Sequence, residues 1–149
     1  MRLLVCGPRN LTQAEHGEAL RHALMDFLSK SAPYAPGFVF GHGAAPGADM
    51  LWEDALVWCY SQDTRLWMPI HREPARWGEH GDAAGPIRNG KLLSRVQPTH
   101  WLAAHWDPEP STPGTGDMVE KLRAAGVPGE VMAVPRPSRP AAPRRRRRT

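Results

Sequence analysis

The chain has 149 residues, of which 41% are hydrophobic, and a formal net charge of +4. This length supports one domain with its own core, and no apolar run reaches about 18 residues, so we expect no transmembrane helix. Residues 136–149 hold seven arginines and no acid, while the other 12 lysines and arginines face all 15 acidic residues. Residues 1–135 therefore carry a net charge of −3, which argues against a folded domain that binds nucleic acid through general charge.

Cysteine and histidine positions give no sign of a metal site. Cys6 and Cys59 lie in apolar runs without metal-ligand spacing, which predicts buried thiols in a cytoplasmic protein. The apolar run at the N-terminus is too short for the core of a signal peptide. Four histidines also lack a recognised ligand spacing, namely His71, His80, His100 and His105. We therefore predict neither a metal nor a cofactor.

The first part of the chain predicts a strand, a helix and a second strand. Residues 2–6 are typical of a buried parallel strand. Thr12 suits the N-cap of the next helix, with Glu15 completing a capping box, and the helix is expected to end near Ser31. Residues 38–40 predict the second strand, which leads into a glycine-rich loop.

The middle of the chain predicts two helices around a third strand. Pro46 is expected to open the first of these helices, whose apolar face includes Trp52. Residues 64–69 predict the third strand. The polar connection over residues 70–84 is long for a small domain, which favours a functional loop. A helix then runs from residue 85 to about residue 96.

The last part predicts a strand over residues 100–105, a helix over 115–125 and an edge strand over 130–134. The alternation of strands and helices predicts an α/β fold, a Rossmann-like three-layer sandwich with a parallel sheet of about five strands and helices on both faces. Residues 1–135 are expected to form this domain. Residues 136–149, rich in arginine and proline, predict a disordered tail.

Four clusters of glycine and polar residues lie at the predicted junctions between strands and helices. In a parallel sheet these loops converge on one crevice. Glycines let the backbone approach a ligand, and the helix N-termini attract anions. The candidate ligand-binding residues are Gly7, Pro8, Arg9, Gly41, Gly43, Gly47, Asp49, Gly85, Arg88, Asn89, Gly114 and Thr115.

Several of these side chains allow two interpretations. Arg88 suits a phosphate, or it is a solvated residue in a first helical turn, and the same alternatives apply to Arg9. Asp49 suits ribose hydroxyls, although helix capping explains it too. Trp77 and Trp106 lie in or beside the loops and suit stacking on a base.

Four motifs occur in order at successive junctions: Gly7-Pro8-Arg9, Gly47-Ala48-Asp49, Ala-Gly-Pro-Ile-Arg-Asn at 84–89, and Gly-Thr-Gly-Asp-Met at 114–118. Together they resemble the YpsA-related branch of the SLOG superfamily over about residues 2–134. The resemblance implies a Rossmann-like fold that binds nucleotides or nucleotide-derived ligands, including ADP-ribose-type signals. Members are common in bacteria and in phage genomes, and relatives often dimerise, which implies a homodimer.

Some relatives cleave the N-glycosidic bond of nucleoside monophosphates with a glutamate in a Pro-Gly-Gly-x-Gly-Thr-x-x-Glu pattern. The matching stretch here has fewer glycines, and Met118 stands at the glutamate position. Asp49 and Asp117 remain as candidate catalytic residues. Whether the chain is an enzyme is therefore left open by the sequence.

Three functions follow from these observations. The leading one is binding of a nucleotide-derived small molecule by a sensor, sequestering or accessory protein. The second is hydrolysis of a nucleotide N-glycosidic bond. The third is contact with nucleic acid through Arg144–Arg148 in the tail.

Overall fold

The computed structural model describes residues 1–31 and 38–138. Within them, five strands form one sheet: β1 (Arg2–Cys6), β2 (Val39–His42), β3 (Ile70–Arg72), β4 (His100–His105) and β5 (Gly129–Ala133). All neighbouring strands are parallel, and the order across the sheet is β3-β2-β1-β4-β5. The predicted parallel sheet, with the last strand at an edge, is confirmed.

The helices alternate with these strands along the chain. They are α1 (Glu18–Lys30), α2 (Ala48–Gln62), the short α3 (Trp77–His80), α4 (Ala84–Val96) and α5 (Pro113–Ala124). A π-helical turn, Gln13–Gly17, leads into α1. Short 3₁₀ turns lie at Thr64–Leu66 and Gly81–Ala83.

The side chains of β1 divide the core into two layers. Leu3 and Val5 pack with the buried faces of α1 and α2. Leu4 and Cys6 point to the other face of the sheet, where they pack with α4 and α5. Because successive side chains of a strand alternate between faces, a strand that is apolar at every position needs cover on both sides. The Rossmann-like three-layer prediction is therefore confirmed.

The prediction of a third strand over residues 64–69 is wrong. This stretch starts with a 3₁₀ turn, in which the side chain of Asp63 accepts a hydrogen bond from a backbone N–H of the turn at 3.0 Å. Pro69 has no N–H to give to a sheet, although its carbonyl accepts from the N–H of Phe40 at 2.8 Å. The strand, β3, therefore comes directly after Pro69, inside the predicted polar connection.

Two predicted helix starts are displaced by two residues. Pro46 does not open α2, because the residue after it, Gly47, has a φ of +80° and stands as the N-cap. In contrast, α5 starts at Pro113 rather than at Thr115. A proline fits the first helical position because the N–H that it lacks has no partner in the helix there.

Only half of the predicted capping box forms at the start of the first helical segment. The hydroxyl of Thr12 accepts from the N–H of Glu15 at 3.2 Å, as predicted. The reciprocal bond is made by His16, whose Nδ1 accepts from the N–H of Thr12 at 3.0 Å. The carboxylate of Glu15 instead accepts from Ser138. The helical start is thus linked to the far end of the described chain.

The tryptophans of α2 lie mainly inside the domain. Trp52 is fully buried, and its indole N–H donates to the carbonyl of Cys6 at 2.9 Å. Trp58 is partly buried and packs against the same core. Both indole rings thus pack within the domain, and the homodimer stays a prediction.

The chain contacts the domain beyond the predicted boundary at residue 135, since residues 136–138 are described and lie against it. The rest of the predicted tail, including Arg144–Arg148, lies outside the described residues. Among the helices of the described segments, none combines the length and the apolar character that crossing a bilayer requires.

Gly47→Ala is expected to destabilise the fold by roughly 2–4 kcal/mol, because of its positive φ and because an added Cβ would lie 2.3 Å from the backbone of Arg9. Gly90→Ala, inside α4 with open space around it, is the matched control and should stabilise the fold by about 0.5–1 kcal/mol. Urea unfolding of both variants checks this pair. Equal stability of the two variants would contradict the assignment of Gly47 to backbone packing.

Candidate functional site

A cavity of about 770 Å³ lies at the carboxyl ends of β1 and β4. The connection from β1 leads to one side of the sheet and the connection from β4 to the other, so the loops diverge and leave a crevice between them. The loops after β1 and β2, the starts of α4 and α5, and residues 136–138 line the cavity. The loops predicted to converge therefore do so.

Most of the predicted ligand-binding residues line this cavity: Gly7, Pro8, Arg9, Gly43, Asp49, Gly85, Arg88, Asn89, Gly114 and Thr115. Gly41 and Gly47 do not. A Cβ on Gly41 would lie 2.6 Å from Val96, so this glycine lets α4 pack on β2. Gly47 instead allows its loop to approach the backbone of Arg9.

Asp49 is a buried carboxyl in the cavity wall. Its side chain is 5% exposed, and its Oδ2 accepts from the N–H of Ala45 at 3.2 Å. Burial raises the pKa of Asp49 to about 6, although the hydrogen bond from Ala45 and the charge of Arg88 oppose the change. Asp49 lies in the first turn of α2 and also holds the preceding loop through Ala45, whereas the N-cap, Gly47, makes no side-chain capping bond. It can exchange a proton near neutral pH.

Arg88 and Asn89 connect three of the loops around the cavity. The guanidinium of Arg88 donates through Nη1 to the carbonyl of Gly43 and through Nε to Oδ1 of Asn89 at 2.9 Å. The amide nitrogen of Asn89 donates to the carbonyl of Gly114 at 3.2 Å and to Asp117 at 3.0 Å. Asn89 is 4% exposed, so its main contribution is to fix Arg88 and the start of α5.

Asp117 and Met118 differ in their relation to the cavity. Asp117 does not line it, and its carboxylate pairs with Nζ of Lys121 at 2.6 Å. Met118 is 1% exposed and forms part of the wall. The residue that the resemblance aligns with a catalytic glutamate is therefore at the cavity, but it carries a thioether.

A buried histidine orients a hydroxyl at the start of α5. Nδ1 of His105 accepts from the N–H of Asp107 at 2.9 Å, so its Nε2 carries the proton and faces the hydroxyl oxygen of Thr112 at 3.3 Å. Burial lowers the pKa of His105, which favours this neutral form. Because Thr112 accepts from His105 and lines the cavity, its own proton can be donated to a ligand.

The aromatic candidates and one unexpected segment complete the walls. Trp77, which is 41% exposed, and Trp106 both line the cavity, as their loop positions suggested. Arg136, Pro137 and Ser138 also line it. Sequence reasoning placed these three in the tail, because arginine and proline there predict disorder. The one sequence signal that these residues belong to the domain is the apolar edge strand directly before them.

Metal ligands do not cluster at the cavity or elsewhere in residues 1–31 and 38–138, where no group of three or more His, Cys, Asp or Glu side chains is arranged to hold an ion. Both cysteines are buried free thiols. Burial raises the pKa of the Cys6 thiol, although it lies at the cavity wall, so it is protonated and a poor nucleophile.

Comparison with known proteins adds no assignment. No protein-family model matches the chain, and a search of the curated proteins finds no match.

The buried carboxyl of Asp49 should make stability depend on pH. Its folded-state pKa, about 6, lies above its ordinary value of 3.8, so the folded state binds this proton more tightly. The contribution is present below about pH 4, falls as the pH rises to about 6, and is lost above it, by roughly 3 kcal/mol in all.

Urea unfolding of the wild type and of Asp49→Asn from pH 4 to pH 8 measures this contribution. The difference between the two proteins removes the titration of the other carboxyl groups. We expect the variant to gain stability relative to the wild type as the pH rises from 4 to 6. A difference that stays constant over this range would contradict the raised pKa.

Proposed function

We propose that this chain binds a nucleotide or a nucleotide-derived ligand and acts as a sensor, sequestering or accessory protein. The observation that carries the proposal is the cavity at the ends of β1 and β4, which is lined by Arg88 and by the start of α5. Its volume of about 770 Å³ is in the range of small-molecule sites. Crevices at this point of parallel sheets are the usual ligand sites of such folds.

In this proposal, hydrogen-bond donors at the cavity wall bind the phosphate end of the ligand. Arg88 supplies a guanidinium that is fixed by Gly43 and Asn89. Thr112, with its hydroxyl, and Gly114 and Thr115, which carry the first N–H groups of α5, line the adjoining wall. Helix starts offer free N–H groups and a partial positive charge, and a guanidinium adds a bidentate donor.

In this proposal, aromatic rings bind the base of the ligand and a carboxyl group binds its ribose. Trp77 and Trp106 present aromatic rings at the cavity, which suits stacking on a base. Asp49 supplies a carboxyl oxygen that suits a ribose hydroxyl. The resemblance to the SLOG superfamily agrees with this proposal, and Met118 at the glutamate position favours binding over hydrolysis.

Calorimetric titration with AMP, ADP-ribose, NAD and cyclic nucleotides tests the proposal. We expect at least one of them to bind, and Arg88→Gln to weaken that binding tenfold or more, which is about 1.4 kcal/mol. Arg65→Gln is the matched control, because Arg65 lies just beyond the far end of α2 and pairs with Asp63. The absence of binding by the folded wild type would overturn the proposal, and equal affinity of the two variants would exclude the role of Arg88.

A second candidate function is hydrolysis of a nucleotide N-glycosidic bond. The buried carboxyl of Asp49 favours it, since a group with a pKa of about 6 in a cavity wall suits general acid–base catalysis. In this reaction water adds to the anomeric carbon of the ribose and the base leaves with a proton. Asp117, in contrast, is held by Asn89 and Lys121 away from the cavity.

Release of free base from AMP, followed by chromatography, distinguishes this candidate from binding alone. If it is correct, Asp49→Asn should lower the rate at least a hundredfold, because a proton-transfer group typically contributes that much. Asp117→Asn is the matched control and should retain most of the activity. An inert wild type, or an Asp49→Asn variant that is as active as the wild type, would exclude hydrolysis by Asp49.

A further inference from the structure

The segment after β5, residues 134–138, forms a strap across the end of the sheet. The N–H of Val134 donates to the carbonyl of His105 at 3.1 Å. The carbonyl of Pro135 accepts from Nε2 of His16 at 2.9 Å. Ser138 donates to the carboxylate of Glu15 through its N–H at 3.2 Å and through its hydroxyl at 2.7 Å. The strap therefore follows β5, contacts the end of β4 and reaches the π-helical turn that precedes α1.

The anchor at His16 is fixed in one orientation. His16 is fully buried, and its Nδ1 accepts from the N–H of Thr12. Its proton is therefore on Nε2, which donates to the carbonyl of Pro135. This anchor and the Glu15–Ser138 pair stand on either side of Arg136. The main chain of Arg136 is thus held at both ends.

Arg136 itself lines the cavity that contains Arg88. Its guanidinium carbon lies 5.6 Å from the ring centre of Trp106, within the range of a cation–π contact. The ring of Trp106 lies in turn 4.2 Å from the ring of His105, which is buried. The guanidinium of Arg136 is therefore supported by an aromatic ring at the cavity wall.

Arg88 and Arg136 approach the cavity from different sides of the sheet. Arg88 belongs to α4, which packs on the same face as α5. Val134 and Trp106 pack with α1 on the other face. Within residues 1–31 and 38–138, neither arginine forms an ion pair with a carboxylate. Although the charge of Arg88 acts on the nearby Asp49, neither guanidinium is held by a direct ion pair, which favours a ligand that brings two negative groups.

We infer that Arg136, held by the strap, is a second anion-binding residue of the cavity, and that the ligand carries two phosphate groups, one for Arg88 and one for Arg136. This inference rests on the proposed function, since it uses the same cavity. It adds the class of ligand, a nucleotide with two phosphates rather than one. It also adds a residue that lies outside all four glycine-rich clusters.

Calorimetric titration of the full chain with AMP and with ADP tests the inference. We expect ADP to bind at least tenfold more tightly than AMP. Arg136→Gln should weaken ADP tenfold or more and change AMP by less than twofold, because only the second phosphate loses its partner. Arg65→Gln, which removes the same charge far from the cavity, should change neither affinity.

Failure of the inference and failure of the proposed function give different results. If the wild type binds AMP and ADP equally, or if Arg136→Gln leaves ADP binding unchanged, the second anion-binding residue is excluded while nucleotide binding stands. If the wild type binds neither nucleotide and none of the others named above, both are excluded. Glu15→Gln, which weakens the strap anchor without lining the cavity, should weaken ADP severalfold and AMP by less than twofold. An unchanged ADP affinity in this variant would exclude the role of the anchor.

Discussion

The cavity depends on the close contact between the loop after β1 and the loop before α2. Gly47 lies so near the backbone of Arg9 that a side chain has no room between them. Gly7 is in a similar position, since a Cβ there would lie 2.6 Å from Cβ of Ala48 and 2.9 Å from the carbonyl of Ala104. These contacts fix the start of α2 at the end of β1, and thereby fix Asp49 in the cavity wall. The glycines therefore act through packing between loops.

A second set of contacts fixes the opposite side of the cavity. The side-chain amide of Asn89 joins Arg88 to the start of α5, and Arg88 in turn reaches the carbonyl of Gly43. The guanidinium thus has little freedom before any ligand arrives. A group that is already ordered loses less conformational entropy on binding, which favours affinity. In the proposed function, the sequence Arg-Asn provides both the anion-binding group and its support.

The sequence predicted the fold best where a run of residues is compatible with only one environment. The runs in β1 and β4 are apolar at nearly every position, which requires cover on both faces and hence a parallel sheet. The third strand was misplaced because Leu66 and Met68 alternate as in a strand, although they are buried without joining the sheet. Residues 64–69 do not join the sheet because Asp63 caps a 3₁₀ turn and Pro69 lacks an N–H. Neither feature changes the periodicity of the apolar residues.

The sequence predicted the part of the candidate site that follows from the positions of the loops. Loops at the ends of parallel strands meet whatever their sequences, so most of the glycine-rich clusters reached the cavity. Gly41 looked the same in the sequence as Gly43, but it contacts Val96, which belongs to a helix more than fifty residues later. Arg136 was missed because its surroundings are set by Glu15 and His16, at the other end of the chain. Such long-range contacts leave no local pattern.

The anchor between Ser138 and Glu15 has a thermodynamic consequence for the rest of the C-terminal region. Any partner that drew Ser138 away from Glu15 would also loosen the hold on Arg136 at the cavity. Linkage makes such an effect reciprocal: a ligand that engages Arg136 would weaken the partner by the same factor by which the partner weakens the ligand. The contact between Ser138 and Glu15 would in this way be coupled to ligand binding through Arg136.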